Sequence, residues 1–197
     1  MTRTHHHRHK SSRMGPFTTY AESPDGVRFE TQEAEEKVIL FLRPHLITTV
    51  PWVFLVFVMV LMPGVIVPTL GQFIELPFTI PVGHLVVGTL FWYVATFGFA
   101  LASFLRWFFN IYIVTNERVI DIDFFYLLYK QFSEARLSKI QDISYKSSGV
   151  LSTVFNFGDV TIQTAGKKPE FEFAAVPVPE RVVQTIGELV EKQKSNL

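Results

Sequence analysis

The chain has 197 residues, a formal net charge of zero, no Cys and 20 Phe. Zero net charge excludes a global field drawing the protein toward nucleic acid, and the absence of thiols excludes disulfides, thiolate zinc sites, iron–sulfur clusters and Cys nucleophiles. The length suits one domain of ordinary size with further segments attached.

Residues 1–28 are rich in Arg, His, Ser, Thr, Pro and Gly without apolar periodicity, and a disordered tail is expected there. His5, His6, His7 and His9 have the composition of a metal-binding tract, but nothing else in the chain would complete a site. No metal and no cofactor is expected. Residues 29–45 begin FETQEAEEKVILFL and suggest a juxtamembrane helix. Thr31 would cap it, acids fill its first turn, Val38, Ile39, Phe41 and Leu42 give an apolar side, and Pro44 breaks it.

Between Arg43 and Arg106 there is no Lys or Arg, and Glu75 is the single acid. Two apolar runs lie in that window and predict transmembrane helices over 46–70 and 85–107, each long enough for a hydrocarbon core of roughly 30 Å. The first run follows 45 residues of mixed polar sequence and has no small-residue cleavage pattern, so a retained helix fits better than a signal peptide. Pro51, Pro63 and Pro68 predict bends in the first helix, tolerable where neighbours satisfy the released carbonyls. In the second, Gly98 and Ala102 form a small-xxx-small pair, a candidate packing seat for the first helix or for a second copy of the chain. Arg43 and Arg106 flank the spans, whereas the loop 71–84 has no base, so the positive-inside rule puts both termini in the cytoplasm. Trp52 and Trp107 fit an aromatic belt, while Trp92 and Tyr93 fall within the second span. Glu75, His84 and His45 read as interfacial groups rather than as a relay or ligands.

From residue 108 onward the pattern alternates. Ile111 and Ile113 share a face. Ile120, Ile122 and Phe124 alternate with Val119, Asp121 and Asp123, an arrangement that sends the two carboxylates to a wet face. Val160 and Ile162 alternate with polar neighbours. Phe171 and Phe173 alternate with Glu170 and Glu172, so burial is expected of the phenyl rings and exposure of the acids. Asn116-Glu117 and Gly166-Lys167-Lys168-Pro169 are hairpin turn signals. Pro179 opens a helix in which Val182, Val183, Ile186, Leu189 and Val190 share one side. The pattern alone gives a small antiparallel barrel or bent sheet closed by a C-terminal capping helix.

The segments YIVTNERVIDID, EARLSKIQDIS and FNFGDVTIQTAG resemble the bacterial pleckstrin-homology-like (PH-like) membrane family, its second large group. The matching residues are the turn Thr115-Asn116-Glu117-Arg118, the strand start Ile140-Gln141-Asp142-Ile143, and the run Gly158 through Gly166. The entry EEKVILFLRPH also looks like the family's approach to the membrane. The resemblance implies a membrane α-helical hairpin of two transmembrane helices with a mainly-β PH-like domain, here 108–197, in the cytoplasm. One departure is the bulky triplet Phe124-Phe125-Tyr126, where many relatives place a turn Gly. Eukaryotic relatives of the fold often bind phosphoinositide headgroups through a basic loop between the first two strands. Taking that loop as Asn116-Glu117-Arg118, one base beside one acid is too few donors for such a headgroup.

Enzymatic chemistry is not expected. Asp121 and Asp123 share one face of a strand, about 7 Å apart by strand geometry, a spacing that a wet sheet face also produces, and no phosphate loop, HExxH or GxSxG occurs. A membrane-anchored binding or scaffolding module at the plasma membrane, multi-pass, is the leading reading. The alternative is an oligomeric subunit of a transport or channel complex, which would need recurrent polar residues on one face, whereas Thr48, Thr49, Thr69, Thr89, Thr96 and Ser103 are scattered. Expected partners are the lipid bilayer, anionic lipid or a membrane protein partner, and a second copy of the chain; no nucleic acid is expected. Candidate contact bases are Arg106, Lys139, Lys146, Lys167 and Lys168, each contributing about 1 kcal/mol near an anionic surface.

Overall fold

The computed structural model describes residues 15–195 apart from 25, 28, 30, 31, 34, 74–80, 126–128 and 166–169. The His-rich tract, Thr31, Glu75, Tyr126, Lys167 and Lys168 thus lie outside the described residues. The chain divides into two units, one made of residues 1–46 with 108–197, the other of residues 47–107.

The first unit is built on two antiparallel sheets. One has five strands in the order β1 (Tyr20–Glu22), β2 (Val38–Leu42), β3 (Ile111–Thr115), β4 (Arg118–Phe125) and β5 (Tyr129–Arg136). The other has β6 (Ile140–Lys146), β7 (Phe157–Thr164) and β8 (Glu170–Pro177). A six-residue helix α3 (Val150–Phe155) joins β6 to β7, and α4 (Pro179–Ser195) closes the unit. This is the mainly-β architecture with a C-terminal helix that the alternation implied.

The N-terminal segment departs from expectation. Among the described residues of 29–45 there is no helix; residues 38–42 instead form a strand, and Leu42 pairs with Tyr112 and Phe41 with Ile113. Leu40 and Leu42 are fully buried on one side of this strand, and Phe41 is buried on the other. A strand buried on both faces loses its period-two signature and reads as a continuous apolar run, which is why it resembled one side of a helix. Within the tail expected to be disordered, Tyr20–Glu22 adds the edge strand β1. The domain therefore does not begin at residue 108.

The two apolar helices are inserted between neighbouring strands of one sheet. The chain leaves after Leu42 and returns at Ile111, one residue before its partner Tyr112. Two cores result. The larger lies between the sheets and under α4, with Leu40, Val114, Val119, Ile162, Phe173 and Ile186 among its members. Tyr112 stacks on Phe173 at 4.6 Å between ring centroids, and its hydroxyl accepts a hydrogen bond from the Ala174 amide at 3.2 Å, tying the sheets together. A smaller core on the opposite face of the large sheet gathers Ala21, Phe41, Ile113 and Ile120 under Val27 and Phe29.

That second layer reverses the expected facing of β4. Ile120 and Ile122 turn to the small outer core, whereas Val119 lies in the main one. Asp121 is only 3% exposed and does not face water as the alternation suggested. The facing of β8 is as expected, with Phe171 and Phe173 buried and Glu170 and Glu172 exposed. In α4, Pro179 starts the helix and Val182, Ile186 and Val190 are buried. Gly158 is required by crowding: a Cβ there would meet the Lys146 carbonyl oxygen at 2.7 Å and the Ser147 hydroxyl at 2.6 Å.

The second unit consists of α1 (Val50–Phe73), preceded by a 3-10 turn over Leu46–Thr49, and α2 (Val82–Phe109). With 24 and 28 residues they are about 36 and 42 Å long. Both are long and apolar enough to cross a membrane. Each runs past the expected boundary toward the other, so the connection is shorter than the predicted loop 71–84. His84 is exposed in the first turn of α2.

Candidate functional site

Among the described residues a dense polar cluster lies at the β3–β4 turn. Glu36, buried just before β2, accepts hydrogen bonds from Arg118 Nε at 2.9 Å on one carboxylate oxygen and Arg118 Nη2 at 2.8 Å on the other. Thr115 Oγ1 donates to the same carboxylate at 2.7 Å, as does the Glu33 amide at 3.1 Å. Arg118 Nη1 donates to Glu134 at 2.6 Å, and its guanidinium also lies 5.7 Å from the Phe29 ring centroid. The Thr115 hydroxyl accepts from the Arg118 amide at 3.0 Å, and Asn116 Oδ1 accepts from the Lys37 amide at 2.7 Å. Burial opposes the charge on Glu36, but the bonds from Arg118, Thr115 and the Glu33 amide outweigh it and hold the carboxyl below the ordinary carboxylate range.

This geometry explains the Thr-Asn-Glu-Arg turn. Thr115 shapes the hairpin, Asn116 holds the backbone entering β2, and Arg118 forks onto a carboxylate 82 residues earlier. The cluster fastens the N-terminal segment to the sheet. Sequence reading missed Glu36, because separation along the chain hides the pair. The available signal was one acid beside an apolar run and one Arg in a tight turn.

Around this cluster opens a groove of about 830 Å³ lined by Glu33, Glu117, Glu134, Arg118, Arg136 and Lys139, among others. Three carboxylates face three bases, so the groove does not concentrate positive charge for an anion. Arg118 is already committed to Glu36 and Glu134. No group of three or more His, Cys, Asp or Glu suited to a metal occurs among the described residues.

Of the contact bases expected from sequence, Lys167 and Lys168 lie outside the described residues. Lys139 stands just before the seven-residue strand β6 and Lys146 ends it, about 20 Å apart by strand rise. Arg106 is exposed in the last turn of α2. Arg43, expected to be a simple flanking charge, is buried. Its Nη1 donates to the Pro16 carbonyl at 2.7 Å, and its guanidinium lies 5.1 Å from the Phe41 ring and 4.5 Å from the Phe108 ring. Two residues on, the His45 amide donates to the Ala175 carbonyl at 2.7 Å and the imidazole stacks on Phe157 at 5.4 Å. Burial pushes that imidazole below its ordinary pKa.

In the helical unit the polar contact is elsewhere than the small-residue pair. Pro63 has no amide hydrogen, so the Met59 carbonyl four residues earlier loses its helical donor. The Trp92 indole N–H replaces it at 2.8 Å, and the Tyr93 hydroxyl donates to the Val60 carbonyl at 3.3 Å. Gly98 is exposed with open space where a side chain would begin, and Ala102 is half-buried. Thr69 and Thr96 donate to carbonyls of their own helices rather than lining a path.

The strands run β2-β3-β4-β5, then β6-β7-β8 and α4, with the helical pair as the link between β2 and β3.

Comparison with known proteins agrees with this architecture. The family model described as bacterial PH domain matches residues 45–190. No curated protein matches the chain. Among solved structures, a DUF1696 family protein with a pleckstrin-homology domain from Shewanella loihica PV-4 is similar at 15% identity. That match has a TM-score of 0.34 and covers 41% of this chain and 70% of the other. With the family model spanning well over half its length, the chain belongs to the bacterial PH domain family.

Proposed function

We propose that the protein is a multi-pass plasma-membrane protein whose PH-like unit is a non-enzymatic binding or scaffolding module held at the cytoplasmic leaflet. The carrying observation is the insertion of two apolar helices between the paired strands β2 and β3. Because residues on both sides of the pair build one sheet, both flanks share one side of the bilayer, as an even number of crossings requires. Arg43 and Arg106 on those flanks favour the cytoplasmic side. The two helices are the link between β2 and β3, so the unit meets the bilayer through a covalent tether on both strands. The remaining surface, with its balanced groove, is the part available to a protein partner or a second copy.

The chain has no Cys of its own, so single introduced Cys residues report cleanly. In intact cells, Cys at Gln72 should react with a membrane-impermeant thiol reagent and Cys at Ser147 should react only after lysis. Labelling of Ser147→Cys from outside would overturn the topology.

A further inference from the structure

The helix α3 is inside out for a helix in water. Its buried residue is Ser152, whose hydroxyl donates to the Gly149 carbonyl at 2.7 Å. Its apolar residues point outward: Val150 is 79% and Val154 69% exposed, and Leu151 and Phe155 are exposed as well. A surface helix on a soluble domain places its apolar stripe against the core, so this reversal selects for an apolar surrounding.

Both ends of α3 are fixed. Gly149 precedes it at φ +98°, a conformation L side chains rarely adopt. Asn156 follows in the left-handed region at φ 51°, its amide donating to the Ser152 carbonyl. The four apolar side chains are therefore presented by a short helix that starts at a positive-φ Gly and ends in a left-handed cap. Tyr145, half exposed, and the exposed Lys146, Ser147 and Ser148 stand just before it.

The position of α3 in its own unit identifies the occupant. Phe157, two residues after α3, carries the stacked ring of His45, and His45 immediately precedes Leu46, where the apolar run begins. So α3 stands on the end of the β unit from which the chain departs into the apolar helices. The same end receives the β4–β5 ribbon. Ile111, the first residue of β3, pairs with Ile122, yet the ribbon runs on through the pairs Phe124 with Lys130 and Phe125 with Tyr129. A protein partner would require a second recognition event at that end, whereas a bilayer is delivered there by the chain itself.

We propose that α3 is an interfacial wedge: Val150, Leu151, Val154 and Phe155 enter the headgroup and upper acyl layer of the bilayer that α1 and α2 cross, with Tyr145 and Lys146 at the polar boundary. This rests on the anchoring reading and adds to it a second contact of the PH-like unit with the bilayer.

The test uses the full chain with a single environment-sensitive fluorophore on Val154→Cys, Ser138→Cys or Val94→Cys. Ser138 is exposed at the far end of β6, and Val94 is exposed on α2. Each variant is reconstituted in vesicles of phosphatidylcholine and phosphatidylglycerol in equal parts, containing lipid with a nitroxide placed shallow or deep on the acyl chain. The label at 154 should lose most of its emission to the shallow nitroxide, the label at 94 should lose most of its emission to the nitroxides, and the label at 138 should keep its emission. If 94 is quenched and 154 is not, the wedge is refuted and the anchor stands. If neither is quenched, the anchoring reading falls and the wedge with it. A blue-shifted label at 154 that no nitroxide quenches would show a protein covering α3 and would also overturn the proposal.

Discussion

In the β unit the apolar side chains point inward, and the deciding polar contact, Glu36 with Arg118, is buried alongside them. In the helical pair the apolar side chains point outward along most of both helices, and the deciding polar contact is one indole N–H on the carbonyl that Pro63 releases. The difference follows from what surrounds each unit. Where water surrounds the chain, burying apolar area drives folding, and the ion pair only chooses which strand is held where. In the bilayer proposed for the helices, lipid is as apolar as Leu or Val, so an apolar surface carries no pairing information and an unmet carbonyl does.

The comparison breaks first at the Glu36–Arg118 pair. Arg118→Ala leaves a buried carboxylate without its main partner and should destabilise the β unit by about 3–5 kcal/mol, measured by denaturant unfolding. Glu36→Ala should cost a similar amount, and the double substitution should cost clearly less than the sum, because both remove one contact. Strict additivity would show that the two residues do not share an energy.

A loss of comparable size tests the core. Phe173→Ala should cost about 3–5 kcal/mol if the site cannot collapse, whereas Glu172→Ala, one position away on the exposed face, should cost no more than about 0.5 kcal/mol. Equal effects would mean the register of β8 is wrong.

The pH dependence sharpens the same point. The Glu36 carboxyl is held below its ordinary value of 4.5 by its partners, against the opposing effect of burial. Its contribution is therefore fully present above that unfolded-state value and is lost as pH falls through the lower folded value. An acid titration of stability should show this loss, and Glu36→Gln should flatten it. An unchanged slope in the variant would assign the acid sensitivity to other groups.

The smallest effect belongs to the helices. Trp92→Phe keeps the ring but removes the N–H, and should weaken the helix pair by about 0.6–1.7 kcal/mol, read as a lower unfolding midpoint in detergent. Gly98→Ala should not lower that midpoint, since the position opens on free space and Ala favours the helix over Gly.

Much of this was legible in the sequence. The alternation in β7 and β8, the hairpin at Asn116 and the apolar stripe of α4 all expose a periodic face, and a periodic face is what pattern reading detects. The strand β2 was not legible because Val38–Leu42 is covered on both sides, and β1 has only three residues. The burial of Asp121 follows from the same cause. Once the N-terminal segment supplies a second layer, both faces of β4 over residues 119–121 are covered. The apolar runs were plain, yet their pairing was not, because it depends on a missing amide at Pro63 and an indole 29 positions later, which no period connects.

The central claim is that residues 20–42 belong to the PH-like fold and that the helices interrupt it. It is tested by splicing. A chain in which a short Gly/Ser linker replaces residues 47–107 keeps every strand and joins ends that the sheet already holds side by side. It should be water-soluble and unfold in one cooperative denaturant transition, while the fragment 108–197, lacking Leu40, Leu42 and Glu36, should show a much lower midpoint or no transition at all. A fragment 108–197 as stable and as cooperative as the spliced chain would contradict the account.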